Sequence, residues 1–145
     1  MTKINILIFG LILTFTHSSG QTNHFDRLSF IIGDWIGTGK GFGNDESKIE
    51  SNFHLIMDGK YIEVKNESIF EPTENNPKGE YHIDKGMISY DKSRKTIVFR
   101  QFNNEGYINQ YILNDSITND SILVFESEVI ENFVQGGKAR WTKFS

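Results

Sequence analysis

Lys48-Ile-Glu-Ser-Asn-Phe53-His-Leu-Ile-Met-Asp58-Gly59-Lys-Tyr-Ile-Glu-Val64-Lys-Asn66-Glu-Ser68-Ile-Phe70 reads as two strands joined at Asp58-Gly59. In the first strand, Lys48 to Met57, the positions Ile49, Ser51, Phe53, Leu55 and Met57 share one face, and Lys48, Glu50, Asn52 and His54 share the other. Successive side chains of a strand point to opposite sides of a sheet, so this alternation predicts a half-buried strand and not a helix. Asp-Gly between two alternating runs is the strongest short hairpin signal, because both central residues of a type I′ turn need positive φ. The returning strand places Ile62, Val64, Asn66, Ser68 and Phe70 inside, with Tyr61, Glu63, Lys65 and Glu67 outside. Asn66 and Ser68 are polar residues on an inward face, which predicts a wet lumen instead of a dry core.

Outward from this hairpin the same period recurs. A loop rich in Pro, Asn and Glu, Glu71 to Glu80, leads to a strand over Tyr81 to Tyr90. Thr96 to Phe102, the turn Asn103 to Gly106, and Tyr107 to Leu113 form the next hairpin. The polar turn Asn114 to Asp120, a strand over Ile122 to Val129, and a last strand over Lys138 to Phe144 after Gly136-Gly137 complete the chain. No segment after Ile32 shows a sustained helical period. With Trp35 to Gly43 as the first strand, this makes eight short strands in succession. The predicted fold is all-β, an antiparallel up-and-down barrel, because closure removes exposed strand edges. Eight strands leave room for one small ligand.

Ahead of the strands, the apolar segment Phe25 to Ile32 reads as a short helix, followed by Gly33-Asp34-Trp35. Gly33 lets the backbone turn out of the helix, and Trp35 is placed to plug the floor of the barrel. The glycines Gly37, Gly39, Gly41 and Gly43 alternate along the first strand. Their spacing is not that of a phosphate loop, since Phe42 takes the last glycine position and no helix follows. Alternating glycines on a strand fit tight coiling or close approach of a ligand to the backbone.

Lys3, the apolar run Ile4 to Phe15 and the small, polar stretch Thr16 to Gly20 have the layout of a secretory signal, with cleavage expected near Gly20. Residues 1–20 are therefore assigned to a signal peptide and 21–145 to one barrel domain, secreted or periplasmic. The apolar run is shorter than the ~20 residues a spanning helix needs, so no stable membrane anchor is expected after cleavage. Loss of Lys3 leaves fourteen basic against nineteen acidic residues, a charge of about −5. Mild acidity with scattered basic residues argues against nucleic acid as a partner. The chain has no cysteine, which excludes disulfides, a lipoprotein anchor, thiolate metal sites and a cysteine nucleophile.

Phe30-Ile-Ile-Gly33-Asp-Trp35-Ile-Gly37-Thr-Gly39 resembles the opening of the nitrobindin-type heme-binding barrels, within the wider lipocalin and fatty-acid-binding (calycin) group. Tyr81-His82-Ile83-Asp84-Lys85-Gly86 is similar to the second signature of that family, and Gly59-Lys60 falls where the family has a Gly-Lys hairpin. The resemblance covers the chain from about Leu28 onward. It implies a lipocalin-like barrel and places His82 on the distal side of a heme. The iron-binding histidine of the family lies near the C-terminus, and no histidine follows His82 here. The barrel is accordingly expected to be incomplete at its C-terminal end, or to be a shorter relative without that ligand. The resemblance also implies that an arginine from a late strand stacks on the early tryptophan. Arg140 is the candidate partner of Trp35, with Arg100 as the rival, and a surface position is the alternative for both.

His82 and Asp84 share a strand face, which is compatible with a pocket residue, half of a metal site or a surface pair. His54 shares its face with charged residues and reads as solvated, while His24 precedes the first ordered element. The candidate ligand-binding set is His82, Trp35, Phe53, Asn66, Ser68 and Phe70. Gly33, Trp35 and Arg140 are the candidate structural residues of the floor. No Gly-x-Ser-x-Gly elbow and no His-Glu-x-x-His motif is present. The leading expectation is an exported binding protein for a small hydrophobic molecule, heme being the first named candidate. The alternatives are a heme enzyme acting on reactive nitrogen species, and a structural or interaction barrel with a filled interior.

Overall fold

The computed structural model describes residues 23–40, 46–74, 76–132 and 140–144. The expected signal segment, Gly41 to Gly43 of the glycine run, and Gly136-Gly137 lie outside the described residues. A short 3-10 helix, Asp26–Ile31, precedes β1 (Gly33–Lys40), β2 (Glu46–Ile56), β3 (Tyr61–Phe70) and β4 (Glu80–Asp91). Then follow β5 (Thr96–Asn103), β6 (Ile108–Leu113), β7 (Ile122–Glu131) and β8 (Arg140–Phe144). The eight strands form one sheet in chain order, each antiparallel to the next. β1 and β8 are the two ends of that order. The result is the expected all-β meander, curled into a half-barrel. No helix among the described residues is long and apolar enough to cross a membrane.

The hairpin of β2 and β3 closes as its sequence demands. Asp58 and Gly59 have φ of 56° and 74°, and the Lys60 N–H donates to the Met57 carbonyl at 3.2 Å. Met57 also takes a positive φ, 51°, so the ladder stops at the pair Ile56 and Tyr61. The expected inward run of β2 therefore ends early: Phe53 is buried, whereas Leu55 is 44 % and Met57 62 % exposed at the rim. In β3, Ile62 and Val64 are buried, and Asn66 and Ser68 follow on the same face, half-buried.

The helix owes its place to spacing. Phe25, Leu28 and Ile31 recur every third residue, which eclipses them on one side of a 3-10 turn, and all three are buried. That stripe covers one end of the curled sheet, packing with Phe53, Ile62, Ile88, Phe99, Leu123 and Phe125 in a single apolar cluster. Each fully buried side chain of this size contributes about 1.5–3 kcal/mol. The Trp35 indole N–H donates to the Ile31 carbonyl at 2.8 Å, pinning β1 to the end of the helix.

Two local irregularities give the sheet its curl. A side chain at Gly86 would overlap the backbone of Arg100 and Gln101, so glycine is what lets β5 close against β4 at this point. Between β6 and β7 the register shifts, from Tyr111 opposite Ser127 to Gln110 opposite Val129. Glu128 is the extra residue of this bulge, and it accepts hydrogen bonds from Arg94 and Gln110. The shift reverses the alternation of β7, so Ile130 stands opposite Asn109 while Val129 is 48 % exposed.

Candidate functional site

The inward face of the half-barrel is apolar at the helix end and polar toward the other. Along β3 the inward residues run from Ile62 and Val64 to Asn66 and Ser68, and along β4 from Ile88 back to Asp84 and His82. Along β5 they run from Phe99 to Gln101 and Asn103, and along β6 from Tyr111 to Asn109. The cross-strand pairs Asn66 with Asp84, Asp84 with Asn103, and Gln101 with Asn109 build a continuous polar wall. Across from it stand Trp35, Phe53 and Trp141. Wall and aromatics line an open cavity of about 760 Å³.

The expected set meets largely in that cavity. Trp35, Phe53, Asn66, Ser68 and His82 all line it. Phe70 is placed one step further out, edge-on to the His82 ring with centroids 5.9 Å apart. Trp35 takes up its floor position, packed against the core. Arg140 does not cover it. Trp141 and Lys143 carry the inward alternation of β8, so Arg140 points out, opposite Glu126, and is exposed. Arg100 also faces out and donates from Nε to Gln110 at 3.2 Å. The cation over Trp35 is Lys143, its Nζ 3.7 Å from the ring centroid and 5.6 Å from that of Phe53. Loss of hydration at this spot lowers the Lys143 pKa.

His82 sits at the rim. Its Nδ1 meets the Glu105 carboxylate and its Nε2 lies 3.0 Å from Glu80 Oε2. These two carboxylates raise its pKa, Glu105 first, against the loss of hydration that lowers it. Both ring nitrogens are thus engaged by carboxylates, at a position the resemblance implies to be on the distal side of a heme and not the iron ligand. The other described histidines lie elsewhere: His54 points outward to Asp34 at 3.2 Å, and His24 stacks flat on Tyr90 with centroids 3.5 Å apart. His24 is thus held by a ring contact, where the sequence suggested only a residue preceding the fold. Among the described residues no group of His, Asp and Glu could hold a metal ion.

Asp84 lies one inward position from His82. Burial and the nearby charge of Glu105 push its pKa up to about 6, with only the charge of His82 working the other way. Tyr111 is pushed up to about 12 by burial and by Asp84, and its hydroxyl donates to Gln101 Oε1 at 3.3 Å. Asn109 is 5 % exposed on the same wall, and its Oδ1 has no hydrogen-bond partner. Sequence reading missed Glu105, Gln101, Asn109 and Lys143. The alternation of β5 and β6 could have placed Gln101 and Asn109 inward beside Phe99 and Tyr111. Glu105 belongs to a turn, where no period applies.

The outer face carries a second hollow of about 490 Å³ across β3, β4 and β5, lined by Tyr61, Met87 and Phe102 with Lys65, Lys85 and Arg100 around it. Comparison of the chain with family models, with curated proteins and with solved structures gives no match.

Proposed function

We propose that the protein is an exported, lipocalin-like binding protein that holds one small, partly apolar molecule in the lumen of the half-barrel. The observation that carries this reading is the division of the 760 Å³ cavity into an aromatic side and a hydrogen-bonding wall. Pockets for small ligands combine apolar lining with a few placed polar groups. Burial of ligand surface against Trp35, Phe53 and Trp141 contributes about 25 cal/mol per Å², and the amides of the wall set orientation. A filled structural interior is disfavoured by the same cavity. Heme, which the sequence resemblance implies, would sit with His82 on its distal side while Glu80 and Glu105 hold that ring, and no histidine follows His82 to bind the iron.

The test is a fluorescence titration with the neutral dye Nile red, on the native sequence and on Ser68→Trp, whose new indole would occupy the lumen. Saturable binding weakened about tenfold or more by Ser68→Trp supports the reading. Binding unaffected by Ser68→Trp but lost in Met87→Lys would move the ligand to the outer hollow and overturn it. Ferric heme titrated in parallel is expected to show no His82-dependent Soret shift.

A further inference from the structure

We propose that the lumen selects a ligand bearing a protonated amine on an apolar body, with Asp84 as the ion partner and Asn109 as a second acceptor. This rests on the lumen being the binding site. The cavity contains both signs of charge, so the question is which charged group is left for a ligand. Lys143 has its ammonium already placed on the faces of Trp35 and Phe53. Such a contact offsets part of the lost hydration of a cation. The imidazolium of His82 is matched by Glu80 and Glu105. Asp84 is different: burial and Glu105 oppose its charge, and no hydrogen-bond donor enters that balance. Asp84 is half-buried, and a partly desolvated carboxylate without a donor carries a cost that an arriving cation reduces.

The second observation is independent of charge. Asn109 is buried on the same wall, and its Oδ1 accepts nothing. Its neighbours do not supply a proton: the Tyr111 hydroxyl is directed to Gln101 Oε1. Rotation of the terminal amide would turn this oxygen toward the cavity that Asn109 lines. Asp84 and Asn109 flank the Gln101 and Asn103 positions of β5, on β4 and β6. Both groups are acceptors, and an ammonium offers up to three donors. An anionic head group would instead face the Asp84 carboxylate. Beyond the head group, Tyr111, Phe53 and Trp141 provide the aromatic surface for the body of the ligand.

Three probes with one body and different heads decide the matter by calorimetry at neutral pH: phenethylamine, phenethyl alcohol and phenylacetate. The amine is expected to bind about tenfold tighter than the alcohol, and phenylacetate weakest, since a charge-assisted hydrogen bond exceeds a neutral one. Asp84→Asn should bring the amine down to the level of the alcohol, and Asn109→Leu should weaken both. The ranking on the native sequence needs no variant to fold. Phenylacetate binding tightest, and losing that advantage in Lys143→Met, would overturn the proposal in favour of an anion site. Equal binding of all three would overturn it as well. Failure of all three probes while Nile red still binds in a Ser68→Trp-sensitive way overturns the amine proposal alone. If Nile red does not bind either, the lumen reading falls with it.

Discussion

The two ends of the half-barrel use the same strands and the same inward alternation with opposite chemistry. At the helix end Val64, Ile88, Phe99 and Phe125 are fully buried and packed on Leu28 and Ile31. At the open end the corresponding positions of β3 to β6 carry Asn66, Asp84, Gln101 and Asn109. The first end gains free energy from every buried methylene. The second holds a carboxylate whose charge is opposed by burial and by Glu105, and an amide oxygen with no partner. Unmade hydrogen bonds of this kind cost about 1–3 kcal/mol each. Stability and binding are thus separated along the axis of the sheet, with the unfavourable terms gathered where a ligand can relieve them.

The largest break of this contrast is Phe125→Ala. Its ring packs on Phe99 with centroids 5.5 Å apart and on Trp141 at 6.1 Å. Truncation should cost about 3–5 kcal/mol in urea unfolding. The matching change at the open end, Ser68→Ala, should stay within about 0.5 kcal/mol, because Ser68 is only half-buried on the cavity wall. Similar losses for the two would erase the distinction between the ends. Gly86→Ala comes next, at about 1–3 kcal/mol, since the added methyl must push β5 off β4. Unaltered stability there would mean that the curl does not depend on close approach at Gly86.

Much of this architecture was legible in the residues. Alternation and Asp58-Gly59 fixed the β2 and β3 hairpin, and the same period found the remaining strands and the polar positions Asn66 and Ser68. What alternation could not supply was anything that interrupts it. The left-handed Met57 ended the inward run of β2 before Leu55 was covered. The bulge at Glu128 set Ile130 opposite Asn109 and left Val129 exposed. The Trp35 contact shows a different limit. The resemblance put an arginine on Trp35, Arg140 or its rival Arg100, but strand parity gives the position to Lys143 because Trp141 faces the core. The candidate site was half visible: its strand residues were found, while Glu105, set by a turn, was not.

Lys143 and Arg140 offer a smaller and cleaner test, two cations three residues apart on opposite faces of β8. Lys143→Ala should cost about 0.5–2 kcal/mol through the lost contact with Trp35. Arg140→Ala should stay within about 0.5 kcal/mol, as an exposed outward residue. The reverse order would return the floor contact to Arg140.

The effect at Asp84 is comparably small and shows itself through pH. Its folded pKa, raised to about 6, exceeds the ordinary carboxylate value, so the folded state holds this proton more tightly than the unfolded chain does. The associated stability is present below the ordinary carboxylate pKa and is lost as pH rises through about 6. His82 adds to the same trend, because a raised histidine pKa gives stability that is complete below the ordinary value and disappears as pH climbs through the folded one. Asp91 works oppositely: hydrogen bonds from Ser93 and Arg94 lower its pKa, so its contribution is lost only as the solution becomes strongly acidic. The ligand-free protein should therefore be most stable near pH ~5 and weaken toward pH ~8. At neutral pH Asp84→Asn should gain about 1 kcal/mol, after allowance for the solvent that screens a partly exposed carboxylate. Urea midpoints across that range decide it. Stability that rises from pH ~5 to ~8, or an Asp84→Asn variant weaker than the native protein at neutral pH, would show that the Asp84 carboxylate already has its counter-charge within the fold, leaving nothing for a ligand's amine to neutralise.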